Sequence, residues 1–188
     1  MIKLNKDLKE KLMHPNAFTL YRVIAVPILV IVMLWDTKLI SFFASLIFLI
    51  ACITDYLDGF LARKMGLVSN FGKIMDPLAD KILVGSAFIM LVAKAWVPGW
   101  VVCIIIGREL AVTGLRNVMT ENNMDVGASY IAKLKTVFQM LALGPLLLHY
   151  NYFGINMTFI GNIFLWIALI LTIVSGVDYF YRARKLFE

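Results

Sequence analysis

Charged residues are scarce in this sequence: Asp, Glu, Lys and Arg make up 16% of it, whereas 61% of the residues are hydrophobic. Soluble domains are about 45–50% apolar and about 25% charged, so this shortage disfavours a water-exposed globular protein and favours a lipid environment. The sequence also lacks repeats, low-complexity tracts and long linkers. We therefore expect one membrane-embedded domain that covers residues 1–188.

Cysteine and histidine occur only twice each. Cys52 and Cys103 lie inside apolar runs, where a thiol commonly acts as a small hydrophobic side chain, so we predict neither a disulfide nor thiol chemistry. The formal net charge is +6, but the basic residues follow the ends of the apolar runs rather than a soluble basic face. Nucleic acid is therefore not an expected partner.

Six apolar runs have the length, about 20 residues, that spans about 30 Å of hydrocarbon. They cover residues 17–35, 38–57, 76–95, 97–119, 130–150 and 156–180. Six spans place both termini on one side of the membrane, and all but two of the 18 basic residues, Lys38 and Lys94, lie on that side or in helices leading to it. The positive-inside rule makes that side cytoplasmic. The sequence thus predicts an all-α, multi-pass protein of the cell membrane.

The amino-terminal residues 1–16 precede the bundle of residues 17–188 and are predicted to lie at the membrane surface. Leu4, Leu8 and Leu12 form one stripe, and four lysines alternate with them. Such an amphipathic segment is attracted to anionic lipids. A solvated tail is the alternative interpretation.

Two pairs of aspartates flank the connection between the second and third runs. Asp55 and Asp58 are three residues apart, and Asp76 and Asp80 are four apart, so each pair occupies one helix face. Asp55 lies about 16 residues, or about 24 Å, along its run. We expect a short turn to connect the two helices, so that all four carboxylates meet at the cytoplasmic edge of the hydrocarbon.

Four clustered carboxylates need a neutralising partner, because even one aspartate at the bilayer centre costs about 2.5–3.5 kcal/mol. Oxygen ligands without histidine or thiolate suit Mg²⁺ or Mn²⁺, and four of them could hold two ions that clamp phosphoryl oxygens. Taken singly, the aspartates have structural explanations, such as Asp76 capping a helix that begins at Pro77. Those explanations do not account for all four together.

A second set of charges lies in the fourth and fifth runs. Arg108 is about 12 Å deep in its run, where a charge should face protein or water, and Arg116 occupies the same sector nearer the cytoplasm. Lys133 and Lys135 are nearly opposite on a helix, so at most one faces a shared pocket. Glu109, adjacent to Arg108 in sequence, is expected to point elsewhere and to form a poor local ion pair.

Several cations beyond the metal site suit an acceptor that carries its own phosphate. In the alternative interpretation the lysines extend to lipid headgroups and Arg108 pairs with Glu109 across a helix contact.

The aspartates belong to a pattern of eight fixed positions within 26 residues that resembles the signature of the CDP-alcohol phosphatidyltransferase family. It reads Asp55-x2-Asp58-Gly59-x2-Ala62-Arg63-x8-Gly72-x3-Asp76-x3-Asp80. The resemblance implies six membrane helices around a cytoplasm-facing polar cavity, usually in a homodimer. It also implies transfer of a phosphatidyl or similar group from a CDP-linked donor to an alcohol, with release of CMP.

The resemblance further implies roles for individual residues. The four aspartates would ligate metal, Asp80 would also be the general base, and Arg63 would pair with the donor's pyrophosphate. The other implied contacts with the CDP moiety are made by Asn16 and Thr19 in PNAFTLYR and by Gly59, Ser69 and Gly72.

REL-x-VTGLR and AKLKT-x-x-QM resemble the branch of the family whose acceptor is sn-glycerol 3-phosphate, although Ala132 stands where that branch usually has glycine. This implies that Asp80 deprotonates the acceptor's primary hydroxyl, which attacks the lipid-bearing phosphorus of CDP-diacylglycerol. The residues expected to bind the acceptor's phosphate are Arg108, Arg116, Lys133 and Lys135, with Arg182 and Arg184 as lesser candidates.

Three other functions stay open from the sequence. An inositol-phosphate branch of the same family would also need a cationic pocket. A small cation transporter should spread its intramembrane acids over several helices, whereas four of the 12 acidic residues here lie within 26 positions. An intramembrane aspartyl protease would need a route for peptide, which nothing in the sequence suggests.

Overall fold

The computed structural model describes residues 15–65, 70–122, 127 and 129–184, with side chains described for 22–54, 78–79, 81–122, 127 and 129–184. Over these residues the chain forms six helices and one short β-hairpin. The helices are α1 (Pro15–Val32), α2 (Lys38–Met65), α3 (Asn70–Ala93), α4 (Gly99–Glu121), α5 (Tyr130–Leu148) and α6 (Met157–Ala183). The hairpin pairs β1 (Asn151–Tyr152) antiparallel with β2 (Ile155–Asn156).

The helices match the six predicted runs in order, but the connection expected over residues 58–76 is mostly helical. Helix α2 continues to Met65 and α3 begins at Asn70. Leu57, Leu61 and Ala62 favour helix, and the single Gly59 costs only about 1 kcal/mol there. Both aspartate pairs therefore lie inside helices. Of the segment 1–16 predicted to be interfacial, residues 1–14 lie outside the described residues, and Pro15 and Asn16 begin α1.

Within the described residues, two helices are long and apolar enough to cross a membrane, namely α5 and α6. Only 33% and 28% of their most apolar stretches are buried inside the protein, so most of that apolar surface faces outward. Helix α4 has sufficient length, but Arg108, Glu109 and Arg116 interrupt its apolar character. The part of the chain that the structure describes is thus predominantly helical, with two candidate membrane spans.

The chain divides into two compact units, Met1–Ala87 and Phe88–Glu188. In the first unit α1 packs against α2. In the second unit α6 packs along α5 and also against α4. This second unit contains all the cations that the sequence assigns to the acceptor's phosphate.

Helices α5 and α6 approach closely at one glycine. A Cβ atom on Gly161 of α6 would lie 2.6 Å from Cγ of Leu146 and 2.9 Å from its backbone nitrogen, both in α5. The surrounding core is aliphatic and fully buried, with Leu143, Leu147 and Leu165 at most 1% exposed. Glycine is therefore needed for these two backbones to pack at this distance.

The hairpin fixes the turn between these two helices. His149 ends α5 with a φ of 58°, and its ring stacks on Trp96 with the ring centroids 3.7 Å apart. Asn156 then caps α6, because its Oδ1 accepts a hydrogen bond from the backbone nitrogen of Phe159 at 3.0 Å. Local contacts thus set the entry and exit angles of the chain at this end.

Candidate functional site

The residues expected to bind metal and CDP belong to the first unit. Asp55 and Asp58 lie on α2, and Asp76 and Asp80 lie on α3, so the helical backbone places each pair on one face as predicted. Of the other expected contacts, Asn16 and Thr19 lie on α1, Gly59 and Arg63 on α2, and Gly72 on α3.

The side chains of all these residues, and Ser69 entirely, lie outside what the structure describes. Convergence of the four carboxylates therefore stays a prediction. No group of three His, Cys, Asp or Glu suited to a metal occurs among the side chains that are described. Four carboxylates at helical spacing nevertheless form a donor set that fits a hard divalent cation.

In the second unit, two of the predicted cations are held by α6. Arg108 is largely buried, and its Nη2 donates a hydrogen bond to Oγ of Ser175 at 3.0 Å. Two turns further along α4, Nη2 of Arg116 donates to the hydroxyl of Tyr179 at 2.7 Å. The Tyr179 side chain is 1% exposed, and both guanidinium carbons lie over its ring, at 5.6 Å and 5.5 Å from the centroid. Tyr179 therefore fixes the spacing between the two arginines.

A third cation enters from α5. Lys135 is buried and forms an ion pair with the carboxylate of Glu109, which also lies 3.6 Å from Nη1 of Arg108. The expectation that Glu109 would pair poorly with its sequence neighbour was wrong. Both side chains are long enough to bend toward the packed α5 and α6, although their Cβ atoms point in different directions. Lys133 is exposed, so only one of the two lysines faces inward, as the spacing predicted.

Uncharged polar groups extend this set of charges along α6. The Ser175 hydroxyl, which accepts from Arg108, lies 3.2 Å from the carbonyl oxygen of Thr172. Nε2 of Gln139 on α5 lies 3.4 Å from Oγ1 of Thr172 on α6. The Thr172 and Ser175 hydroxyls also donate to backbone carbonyls one turn earlier in α6, each at 2.6 Å. We call the connected set the polar strip; it comprises Arg108, Glu109, Arg116, Lys135, Gln139, Thr172, Ser175 and Tyr179.

The contribution of α6 to this strip was not predicted from the sequence. Thr172, Ser175 and Tyr179 follow one another at intervals of three and four residues in a mostly apolar helix, and this spacing could have indicated a polar face. Gly176 gives Arg108 room, because a Cβ there would lie 3.2 Å from Cγ of the arginine.

The two lesser candidates at the carboxyl end have other contacts. Arg182 pairs with Asp178 one turn earlier on α6, with Nη2 3.0 Å from Oδ2. Arg184 lies over the ring of Tyr181 at 4.4 Å. Both arginines are exposed, which is typical of charges at the end of a membrane helix.

The polar strip is suited to binding a doubly charged anion. It holds three positive charges and one negative charge, which leaves a net charge of +2. Arginine presents a planar fork of donors to phosphate, and an ammonium group supplies a compact charge. A phosphate monoester, which carries about −1.5 to −2 at neutral pH, matches this charge.

Comparison with known proteins agrees with the signature. The model of the CDP-alcohol phosphatidyltransferase family matches residues 12–174. A relative from Bacillus subtilis is 42% identical over an alignment of 180 residues that covers 89% of this chain and 93% of the relative. Relatives from Rickettsia bellii (40% over 176 residues; 92% and 96% of the two chains) and Haemophilus influenzae (39% over 175 residues; 90% and 92%) are also similar. All three are named CDP-diacylglycerol–glycerol-3-phosphate 3-phosphatidyltransferase.

Proposed function

The chain belongs to the CDP-alcohol phosphatidyltransferase family, and we propose that it transfers the phosphatidyl group of CDP-diacylglycerol to the primary hydroxyl of sn-glycerol 3-phosphate. The products are phosphatidylglycerophosphate and CMP. The names of relatives that match about nine-tenths of this chain support the reaction. The net charge of +2 on the polar strip is the structural observation that carries the choice of a phosphorylated acceptor.

The acceptor's phosphate would bind to Arg108, Arg116 and Lys135. Arg108 and Lys135 are largely buried and lose part of their hydration, so a phosphate that pairs with them recovers electrostatic free energy. Arg116 is exposed and contributes a further positive charge. A neutral alcohol would leave the net charge of +2 on the polar strip unbalanced. Lys133 is exposed, and its contact with the acceptor rests on the resemblance alone.

The donor would bind through the first unit. Asp55, Asp58, Asp76 and Asp80 would hold divalent cations, which the family generally uses. We propose two ions, Mg²⁺ or Mn²⁺. Such cations, when bound, would offset the charge that develops on the leaving CMP. Asn16, Thr19, Gly59, Arg63, Ser69 and Gly72 would contact the CDP moiety.

Asp80 would accept the proton of the acceptor's hydroxyl. The hydroxyl oxygen then forms a bond to the lipid-bearing phosphorus, and the bond from that phosphorus to the pyrophosphate bridging oxygen breaks. The electron pair leaves with CMP. A carboxylate near cations has a low basicity, so positioning of the two substrates must supply much of the rate.

We place the protein in the cell membrane as a single domain over residues 1–188. We propose that it has six membrane spans, with both termini and the active site on the cytoplasmic side. Residues 1–16 would bind anionic lipid, and the protein would form a homodimer. The outward-facing apolar surface of α5 and α6 supports the membrane location. The distribution of lysine and arginine supports the orientation, and the dimer rests on the family resemblance.

The direct test is CMP release by the purified full-length protein in mixed micelles of CDP-diacylglycerol with Mg²⁺. We expect release with sn-glycerol 3-phosphate and little with glycerol, which lacks the phosphate. Release only with inositol 3-phosphate would show that the acceptor is inositol 3-phosphate rather than sn-glycerol 3-phosphate. Cation flux in vesicles without any CMP release would favour a transporter instead.

A further inference from the structure

Glu109 is the one acidic side chain among the described members of the polar strip, and it lies between two cations. Its Oε1 contacts Nζ of Lys135 and lies 3.6 Å from Nη1 of Arg108. The Glu109 side chain is 23% exposed, whereas Lys135 is almost fully buried. The carboxylate therefore occupies the position where an anion would satisfy both cations.

We infer that Glu109 is an internal counter-ion of the acceptor site, which pairs with Lys135 and Arg108 while the site is empty and is displaced when the acceptor's phosphate binds. This inference rests on the proposed function, because it assigns a further residue to the same site. It gives Glu109 a role in acceptor affinity rather than in the chemistry of transfer.

The need for such a counter-ion follows from burial. An unpaired ammonium group in an apolar setting is costly, and a carboxylate that pairs with it reduces the cost. One carboxylate supplies a single negative charge and a phosphate monoester supplies up to two, so phosphate competes well for the same cations. The cations thus stay paired both before and after the acceptor binds.

The contacts of Glu109 allow the exchange. Its Oε1 is buried, and among the described residues its polar contacts are the two cations, Lys135 and Arg108. Other atoms of the Glu109 side chain are exposed, which provides a direction in which the side chain can rotate when it leaves the cations. Lys135 and Arg108 are in contrast held by burial and by the hydrogen bond from Arg108 to Ser175.

A purely structural ion pair would behave differently. If Glu109 served only to neutralise Lys135, its replacement by glutamine would disturb the contacts that position the cations of the polar strip. Acceptor binding would then become weaker. If Glu109 competes with the acceptor, the same replacement removes the competitor and tightens binding. The sign of the change in affinity separates the two roles.

The test measures binding of sn-glycerol 3-phosphate to the purified full-length protein by titration calorimetry, without donor. We expect Glu109→Gln to lower the Kd about tenfold, since it removes a charge in contact with the anion's position. Inorganic phosphate should show the same trend. Glu121→Gln is the matched control, because Glu121 is an exposed acid at the end of the same helix and its replacement should leave the Kd unchanged. An unchanged or raised Kd for Glu109→Gln overturns the inference.

Steady-state kinetics provide a second readout. The KM for glycerol 3-phosphate should fall in Glu109→Gln while the KM for CDP-diacylglycerol stays the same. If that variant does not fold, Glu109→Asp replaces it: the shorter side chain keeps the charge but reaches the cations less well, so the acceptor should bind a few-fold more tightly. Unchanged or weaker binding in the aspartate variant would also overturn the inference.

Binding and turnover measurements on the wild-type protein test the proposed function separately. A wild type that turns over glycerol 3-phosphate, together with a Glu109 variant of unaltered affinity, overturns the role of Glu109 and leaves the transferase activity standing. A wild type that neither binds nor turns over this acceptor overturns the proposed acceptor.

Discussion

At the scale of single residues, Tyr179 organises the cationic side of the polar strip. Its hydroxyl accepts a hydrogen bond from Arg116, and its ring lies beneath both arginines. Arg116 is exposed, so burial does not restrain it. An exposed arginine has many rotamers, and the contact with a rigid, buried phenol selects one of them.

The replacement Tyr179→Phe tests this role. It keeps the ring and removes the hydroxyl, and a hydrogen bond to a charged group contributes about 1.5–3 kcal/mol. We expect the KM for glycerol 3-phosphate to rise about tenfold while the KM for CDP-diacylglycerol stays constant. Tyr181→Phe serves as the control, because Tyr181 is exposed and makes no contact with Arg116 that the structure describes. Equal effects of the two variants would contradict the prediction.

The replacement Asp80→Asn tests the proposed general base. An amide keeps the size of the side chain but cannot take the proton, and general bases contribute about 10²–10⁴-fold to rate. CMP release should therefore fall by at least that factor, while the thermal midpoint in detergent stays close to that of the wild type. Asp178→Asn, which breaks only the partly exposed pair with Arg182, should retain activity. Normal turnover in Asp80→Asn would remove this residue from the chemistry.

At the scale of helices, the close approach of α5 and α6 depends on Gly161. In Gly161→Ala the added methyl group would meet both the side chain and the backbone of Leu146, which belongs to a packed helix and cannot easily shift. Overpacking of this kind costs about 1–3 kcal/mol. We expect a thermal midpoint several degrees lower in detergent.

The control is Gly144→Ala on α5, where an added Cβ meets nothing within 4 Å. Alanine also has the higher helix propensity, so this variant should be as stable as the wild type or more so. A similar loss of stability in both variants would show that helix propensity, rather than the contact at Leu146, determines the result.

The sequence predicted the helices better than the contacts between them. Apolar runs of membrane-spanning length located all six helices, because that signal is local in sequence. Ser175 and Tyr179 were missed, since their importance depends on a partner more than 60 residues away, as the hydrogen bonds to Arg108 and Arg116 show. Spacing alone indicated that one of Lys133 and Lys135 faces inward, but only packing could identify Lys135.

At the scale of the whole molecule, the proposed metal site predicts a dependence on divalent cations. Treatment with a chelator should abolish CMP release, and addition of Mg²⁺ or Mn²⁺ should restore it. The thermal midpoint should also fall without the cations, because the four carboxylates would then repel one another. Differential scanning fluorimetry in detergent measures this effect, and a smaller response in Asp55→Asn would support the same site. A thermal midpoint that changes neither with chelator nor with added cation would contradict the proposal.

The position of Glu109 in the chain has a consequence for biosynthesis. Glu109 belongs to α4 and Lys135 to α5, so the ribosome delivers the acid before the base. A lysine that enters lipid by itself costs up to about 3 kcal/mol on the translocon's scale. In this chain Glu109 has already been synthesised when Lys135 reaches the membrane. Exchanging the two residues would keep the finished ion pair but reverse the order in which its members reach the bilayer.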